Sequence, residues 1–247
     1  KTGESVGVGG AVLNGDTMTV TNSYFHENKA GNYGGAIANA LTTSGSAEDT
    51  SNTLTINSSV FDNNIATNGG GAIYNAGSTD VNVTNRLFVN GSVFKNNKAD
   101  GASSIGGAIY NSVPTSPGGN VSVATINGAT FTGNVAATAG GAIANSGKMK
   151  IYNSNFDANG TDGNITTNVG GAIRNYHSGI TSNRDATLLV SNSTFTDNVA
   201  KSFGGAVYNA SVAGEDHKSV ATVENSVMIG NTTTSGTAVS GGAIYGG

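Results

Sequence analysis

Polysaccharide-cleaving chemistry needs paired carboxylates, or a carboxylate–metal–Arg set, on one face of a fold. The candidate acids are Glu27, Asp62, Asp157 and Asp197, with His26 beside the first. Each follows a Phe, but at unequal offsets: Asp62 and Asp157 come one residue after it, Glu27 and Asp197 two after it. On a strand those offsets point to opposite faces. The matching places elsewhere hold Asn63, Lys95 or Thr132, and His26 has no matching histidine. No nucleophile–base pair emerges, so no catalytic residue is assigned and an enzyme is not expected. The Asp-bearing calcium repeat Gly-Gly-x-Gly-x-Asp is absent, and Gly69-Gly70-Gly71-Ala72 lacks a following carboxylate, so no metal site is expected. Gly7-x-Gly9 leads into neither Gly-Lys-Ser/Thr nor a helical pattern, which excludes a phosphate loop. Without cysteine there is no thiol chemistry, and no cofactor is expected.

The elements that would position any site repeat along the chain. Gly-Gly-Ala-Ile or Gly-Gly-Ala-Val starts at Gly9, Gly34, Gly70, Gly106, Gly140, Gly170, Gly204 and Gly241, in steps of 25 to 37 residues. Self-similarity at that period indicates a solenoid, a propeller or an array. Phe-x-x-Asn alternates with it: Phe25/Asn28, Phe61/Asn64, Phe94/Asn97, Phe131/Asn134, Phe156/Asn159 and Phe195/Asn198, with Met228/Asn231 as a variant. Aligned on the aromatic, the positions five and seven before it are apolar in every copy, from Val20 and Met18 to Val223 and Ala221. The column between them is mixed: Thr19, Thr55, Phe88, Thr125, Lys150, Leu189 and Thr222. That alternation is a strand with one buried face. The breaks in this outward threonine column also argue against an ice- or mineral-binding array.

The position two before the aromatic is Ser or Ala, which predicts a bend into a second strand. A third strand carries Ile37, Ile73, Ile109, Ile143, Ile173 and Val207 inward. The next, outward position varies: Leu13, Ala38, Tyr74, Tyr110, Ala144, Arg174, Tyr208 and Tyr245. An Asn column from Asn14 to Asn209 closes that strand. The shortest step, 25 residues, fits one turn of a three-sided coil. We therefore expect an all-β fold, a right-handed parallel β-helix of about seven rungs with one rung per repeat, spanning residues 1–247 as a single domain. At ~4.8 Å per rung the rod is roughly 34 Å long. Two smaller rungs per repeat is the alternative. Stacked Asn side chains are expected to bond amide to amide, and the Gly-Gly pair to turn a corner too tight for a Cβ.

Repeated Gly-Gly-Ala-Ile paired with Phe-x-x-Asn resembles the repeats of the polymorphic outer membrane proteins of chlamydiae. More broadly, it is similar to β-helical passenger regions of bacterial autotransporters and other surface adhesins. The resemblance covers nearly the whole chain. It implies a non-enzymatic extracellular protein of the bacterial cell surface, a β-helical stalk or adhesin. Its implied partner is a glycan or protein on a host or neighbouring cell.

Surface features bound the rest. A net charge of −4 gives no basic stripe for nucleic acid, and no apolar run is long enough to span a membrane in this segment. Insertions follow the second Asn column at 40–53, 76–85, 112–122, 176–187 and 210–220, so stacking should gather them on one side of the rod. They hold much of the charge, and the candidate binding loops carry Tyr176, His177, Arg184, Glu215, Asp216 and His217. The outward tyrosines could stack on sugars, or simply on each other. Both ends of the ladder read as open strands. That points to a segment of a longer repeat chain, with end-to-end self-association into an extracellular filament as the alternative. A polysaccharide-degrading enzyme ranks third.

Overall fold

The alternating columns form strands because each repeat buries its apolar face only against its neighbours. The computed structural model describes residues 7–40, 51–78, 83–113, 120–162, 168–177, 185–212, 218–235 and 241–247. Among them every regular element is a β-strand, and all strand pairs are parallel between successive repeats. Four sheets result, three of them seven strands deep and the fourth eight. The architecture is an all-β parallel β-solenoid. Like pairs with like: Phe61 lies opposite Phe94, Ile73 opposite Ile109, and Asn75 opposite Asn111. One repeat is therefore one rung, and the two-rung alternative falls.

Each rung has four strands where the sequence predicts three. In the first complete rung they are Thr17–Thr21, Tyr24–His26, Lys29–Ala30 and Ile37–Asn39. The unexpected strand has only two residues, too few for a periodicity to show. Its inward position is the alanine column, with Ala30, Ala66, Ala99, Ala136 and Ala200 fully buried.

Three left-handed corners separate the strands. One precedes the Ser column, at Asn22, Ser58, Gly91, Gly128, Asn153, Asn192 and Asn225. Another precedes the Asn of Phe-x-x-Asn, at Glu27, Asn63, Asn96, Gly133, Ala158, Asp197 and Gly230. The third is the first glycine of each Gly-Gly pair, with φ from +60° to +72°. Asn and Gly dominate because they reach positive φ at low cost. The second glycine serves a close approach instead: a Cβ on Gly35 would collide with the carbonyl oxygens of Gly71 and Ile65.

The interior is a set of ladders. Phe61, Phe94, Phe131, Phe156 and Phe195 are fully buried, with adjacent rings 4.7–4.8 Å apart and 3–8° from parallel. That spacing is the strand spacing of the backbone. Phe25 and Met228 are only half-buried, because each has an aromatic-column neighbour on one side only. Ile37, Ile73, Ile109, Ile143, Ile173 and Val207 are fully buried beside them.

Two buried amide ladders satisfy the corners. Asn28, Asn64, Asn97, Asn134, Asn159 and Asn198 each donate from Nδ2 to Oδ1 of the next rung at 2.8–3.0 Å. Asn14 through Asn175 do the same along the Gly-Gly sheet at 2.7–2.8 Å. A serine ladder accompanies them: Ser59 Oγ accepts from the Ser23 N–H at 3.1 Å and donates to the Asn57 carbonyl at 2.8 Å. The small residues expected at that bend are thus also its hydrogen-bonding groups.

Candidate binding face

The phenylalanine, first asparagine and isoleucine columns all point into the solenoid, which leaves the outer surface as the part available for contact. Of the candidate loop residues, Arg184, Glu215, Asp216 and His217 lie outside the described residues, as do Glu48, Asp49 and Asp80. Tyr176 and His177 are described, and they lie in a strand rather than a loop. The Gly-Gly strand of this rung runs on to Ile173–His177 and pairs with Val207–Ser211. Alternation then turns Tyr176 outward and His177 inward, where it is 1% exposed and its N–H donates to Ser219 Oγ at 2.7 Å. Burial removes His177 as a surface contact. The Lys218 backbone N–H donates to Asp185 Oδ1 at 2.8 Å.

Two of the acids set aside for their unequal offsets, Glu27 and Asp62, do meet at one place. His26, Asp62 and Lys95 stack in register on the outside of the aromatic sheet. His26 Nδ1 lies 3.5 Å from Asp62 Oδ2, and Lys95 Nζ lies 3.2 Å from the same oxygen. The Tyr24 hydroxyl donates to it at 2.6 Å. His26 Nε2 reaches Glu27 Oε1 at 3.1 Å. Strand alternation would have parted that last pair. It fails because Glu27 is a left-handed corner, which swings its side chain back. Burial alone would raise the Asp62 carboxyl, but the hydrogen bonds from Tyr24 and Lys95 and the nearby charges outweigh it and hold the group below its ordinary value. Tyr24 is raised in return, chiefly by its hydrogen bond to Asp62. The arrangement is a surface network in which Tyr24, His26 and Lys95 engage Asp62 and His26 also meets Glu27, so both carboxylates are already occupied by neighbours. Among the described residues no group of three His, Cys, Asp or Glu is placed to hold a metal ion.

The outward face of the Gly-Gly sheet differs, being aromatic and nearly uncharged. Tyr74 and Tyr110, on adjacent rungs, have ring centroids 5.5 Å apart, and Tyr33 stacks on Tyr74 at 4.6 Å. Tyr33 belongs to a column just before each Gly-Gly that sequence reasoning passed over: Tyr33, Gly69, Ile105, Ala139, Val169 and Phe203, bridged rung to rung. Only its end members are aromatic, so it does not read as a pattern. Burial, and secondarily Tyr110, push the Tyr33 and Tyr74 phenols upward. Farther along, Tyr208 stacks on Tyr245 at 5.3 Å, and Phe203 lies 4.8 Å from Tyr245.

Between these aromatic groups lies a surface cleft of about 430 Å³, lined by Ser103, Ile105, Thr138, Ala139, Val169, Arg174, Tyr176, Phe203 and Tyr208. Arg174 sits in register between Ala144 and Tyr208. Its guanidinium lies 4.1 Å from the centre of the Tyr176 ring, a cation–π contact made possible by the extended strand. Burial pushes the Arg174 guanidinium below its ordinary value, against the opposing influence of the Tyr110, Tyr176 and Tyr208 phenols. Among the described residues no carboxylate lines the cleft and none pairs with Arg174. Arginine stays protonated at neutral pH. The site thus offers one fixed cation, aromatic walls and a few hydroxyls, a set suited to holding a ligand.

No helix of the described residues is long and apolar enough to cross a membrane. The model of the Chlamydia polymorphic membrane protein repeat matches residues 58–76, 91–112, 128–146 and 192–210. Each match starts on the left-handed residue before the Ser column and ends one residue past the second Asn ladder. No curated protein and no solved structure gives a significant match to the chain. The repeat is named for membrane proteins, which points to the outer membrane or cell surface as the chain's place. Four matched repeats on a parallel solenoid fit a β-helical repeat protein similar to the polymorphic membrane proteins.

Proposed function

We propose that this chain is a non-catalytic, extracellular part of a bacterial surface protein, a stiff solenoid that presents a binding face to glycans or proteins of a host or neighbouring cell. The observation that carries the reading is the aromatic face of the Gly-Gly sheet, where Tyr33, Tyr74, Tyr110, Tyr176, Tyr208 and Tyr245 stand outward on a backbone paired rung to rung. Half-buried aromatic groups held outward on a rigid scaffold favour binding, since little side-chain entropy is lost on contact. The acids near the aromatic sheet support adhesion over hydrolysis, because Asp62 is already engaged by Tyr24, His26 and Lys95.

The test is binding of the fluorescently labelled chain to cultured epithelial cells and to a printed glycan array. A triple variant, Tyr110→Ser, Tyr176→Ser and Tyr208→Ser, should lose most binding while keeping its β-sheet circular dichroism. Undiminished binding by that variant would show that the face is not the contact surface. Release of reducing sugar ends from any arrayed polysaccharide would refute the non-catalytic reading.

A further inference from the structure

The binding reading leaves the ligand open, and the cleft at Arg174 narrows it. We propose that this cleft takes a carboxylate-bearing sugar, a uronic or sialic acid residue of a surface glycan; the inference rests on the binding reading and names its ligand class.

Charge is the first ground. The guanidinium has its planar fork free of any carboxylate among the described residues, and such a fork matches a carboxylate in two parallel hydrogen bonds. In a partly buried site whose other described lining groups are uncharged, that attraction is weakly screened. Shape is the second ground. Tyr176 backs the guanidinium, while Phe203 and Tyr208, with ring centroids 6.5 Å apart, form another wall. A pyranose has an apolar face that stacks on such rings, and hydroxyls that the Ser103 and Thr138 side chains can meet. The volume lies at the lower end of the range for small-ligand sites.

The backbone argues against an acidic peptide. Residues 173–175, which carry Arg174, are paired on both sides, to Ile143–Asn145 and to Val207–Asn209, and only Tyr176 and His177 are paired on one side, too short an edge for an extended chain to join at Arg174. A peptide would have side-chain contacts alone, whereas a sugar needs nothing more.

The experiment is isothermal titration of the full chain with sialyllactose and with trigalacturonate, beside lactose and the carboxyl-reduced trisaccharide. We expect at least one acidic sugar to bind, and the neutral probes to bind tenfold or more weakly. Arg174→Gln should weaken the acidic sugar by about tenfold or more, Arg174→Lys by less, and Lys150→Gln on another sheet not at all. Melting curves should show the variants folded, and raising the salt concentration should weaken wild-type binding. Failure of both acidic sugars to bind overturns the inference, as does equal binding of the carboxyl-reduced probe or indifference to Arg174→Gln. A polyglutamate peptide that binds as tightly as the sugars overturns it too. Cell binding run in parallel separates the two readings: if it persists while both acidic sugars fail, the ligand class falls and the surface-binding function stands.

Discussion

Replacing Asn134 by Asp tests the amide ladder, because the change swaps a donor for an acceptor without changing size. Asn134 Nδ2 donates to Asn159 Oδ1 and to the Phe94 carbonyl, each at 2.9 Å. Its Oδ1 accepts from the Asn97 N–H and Nδ2, each at 3.0 Å. A carboxylate reproduces the accepting half but sets an oxygen against two oxygens on the donating half. The site is fully buried, so the charged form is strongly disfavoured and the folded chain takes up a proton instead. Starting from an ordinary Asp value near ~3.9, protonation at pH 7 costs about 1.36 kcal/mol for each of roughly three units, or ~4 kcal/mol. The protonated acid donates one hydrogen bond where the amide donates two, which adds ~1 kcal/mol.

The sign follows from linkage. The folded carboxyl titrates above its unfolded value, so the native state binds a proton that the unfolded chain has released, and stability falls as pH rises from about 4. Asn134→Asp should therefore lose ~5 kcal/mol at pH 7 but only ~1–2 kcal/mol near pH 4. Asn134→Ala should lose a similar amount at both. Urea unfolding followed by circular dichroism at pH 4, 5.5 and 7 provides the comparison with wild type. A difference between Asn134→Asp and wild type that stays flat with pH, or falls below ~1 kcal/mol at pH 7, would mean that this amide is not a buried donor, and the ladder account would be wrong.

Other perturbations reach the remaining ladders and corners. Phe131→Ala, in the middle of the ring stack, should cost about 3–5 kcal/mol in the same unfolding assay. Gly35→Ala should cost ~3 kcal/mol or more, because its Cβ meets the Gly71 carbonyl of the next rung, whereas at Gly15 the nearest atom to a Cβ is 3.9 Å away and Ala should be nearly neutral by thermal melt. Because the Asp62 carboxyl is held below its ordinary value, its ionised form stabilises the fold at neutral pH. That contribution is present above about pH 4 and fades as pH falls through the lower folded value. Asp62→Asn should thus flatten the acid limb of a stability–pH profile, and an unchanged limb would count against the network.

Stacking explains why the fold was legible. In a solenoid each position faces its own counterpart one rung away, so whatever packs well once is repeated, and the chemistry of the interior appears in the sequence as columns. The phenylalanine, isoleucine and asparagine columns are of this kind. The two-residue strand around Ala30 was hidden because no pattern can be read from two residues between corners. The extra length of Ile173–His177 was hidden because nothing local distinguishes a strand that continues from a loop that begins.

The binding face was only half legible. Outward tyrosines were visible as a column, but their partners Tyr33 and Phe203 stand in another column on the far side of the Gly-Gly corner. The sequence by itself determined the rung, its buried face and its amide ladders, because those depend on each residue meeting its own kind. Only the tertiary structure decided the Arg174 cleft and the His26–Asp62–Lys95 network. Their members are unlike residues brought together across rungs and across left-handed corners, where no repeat records who the neighbour will be.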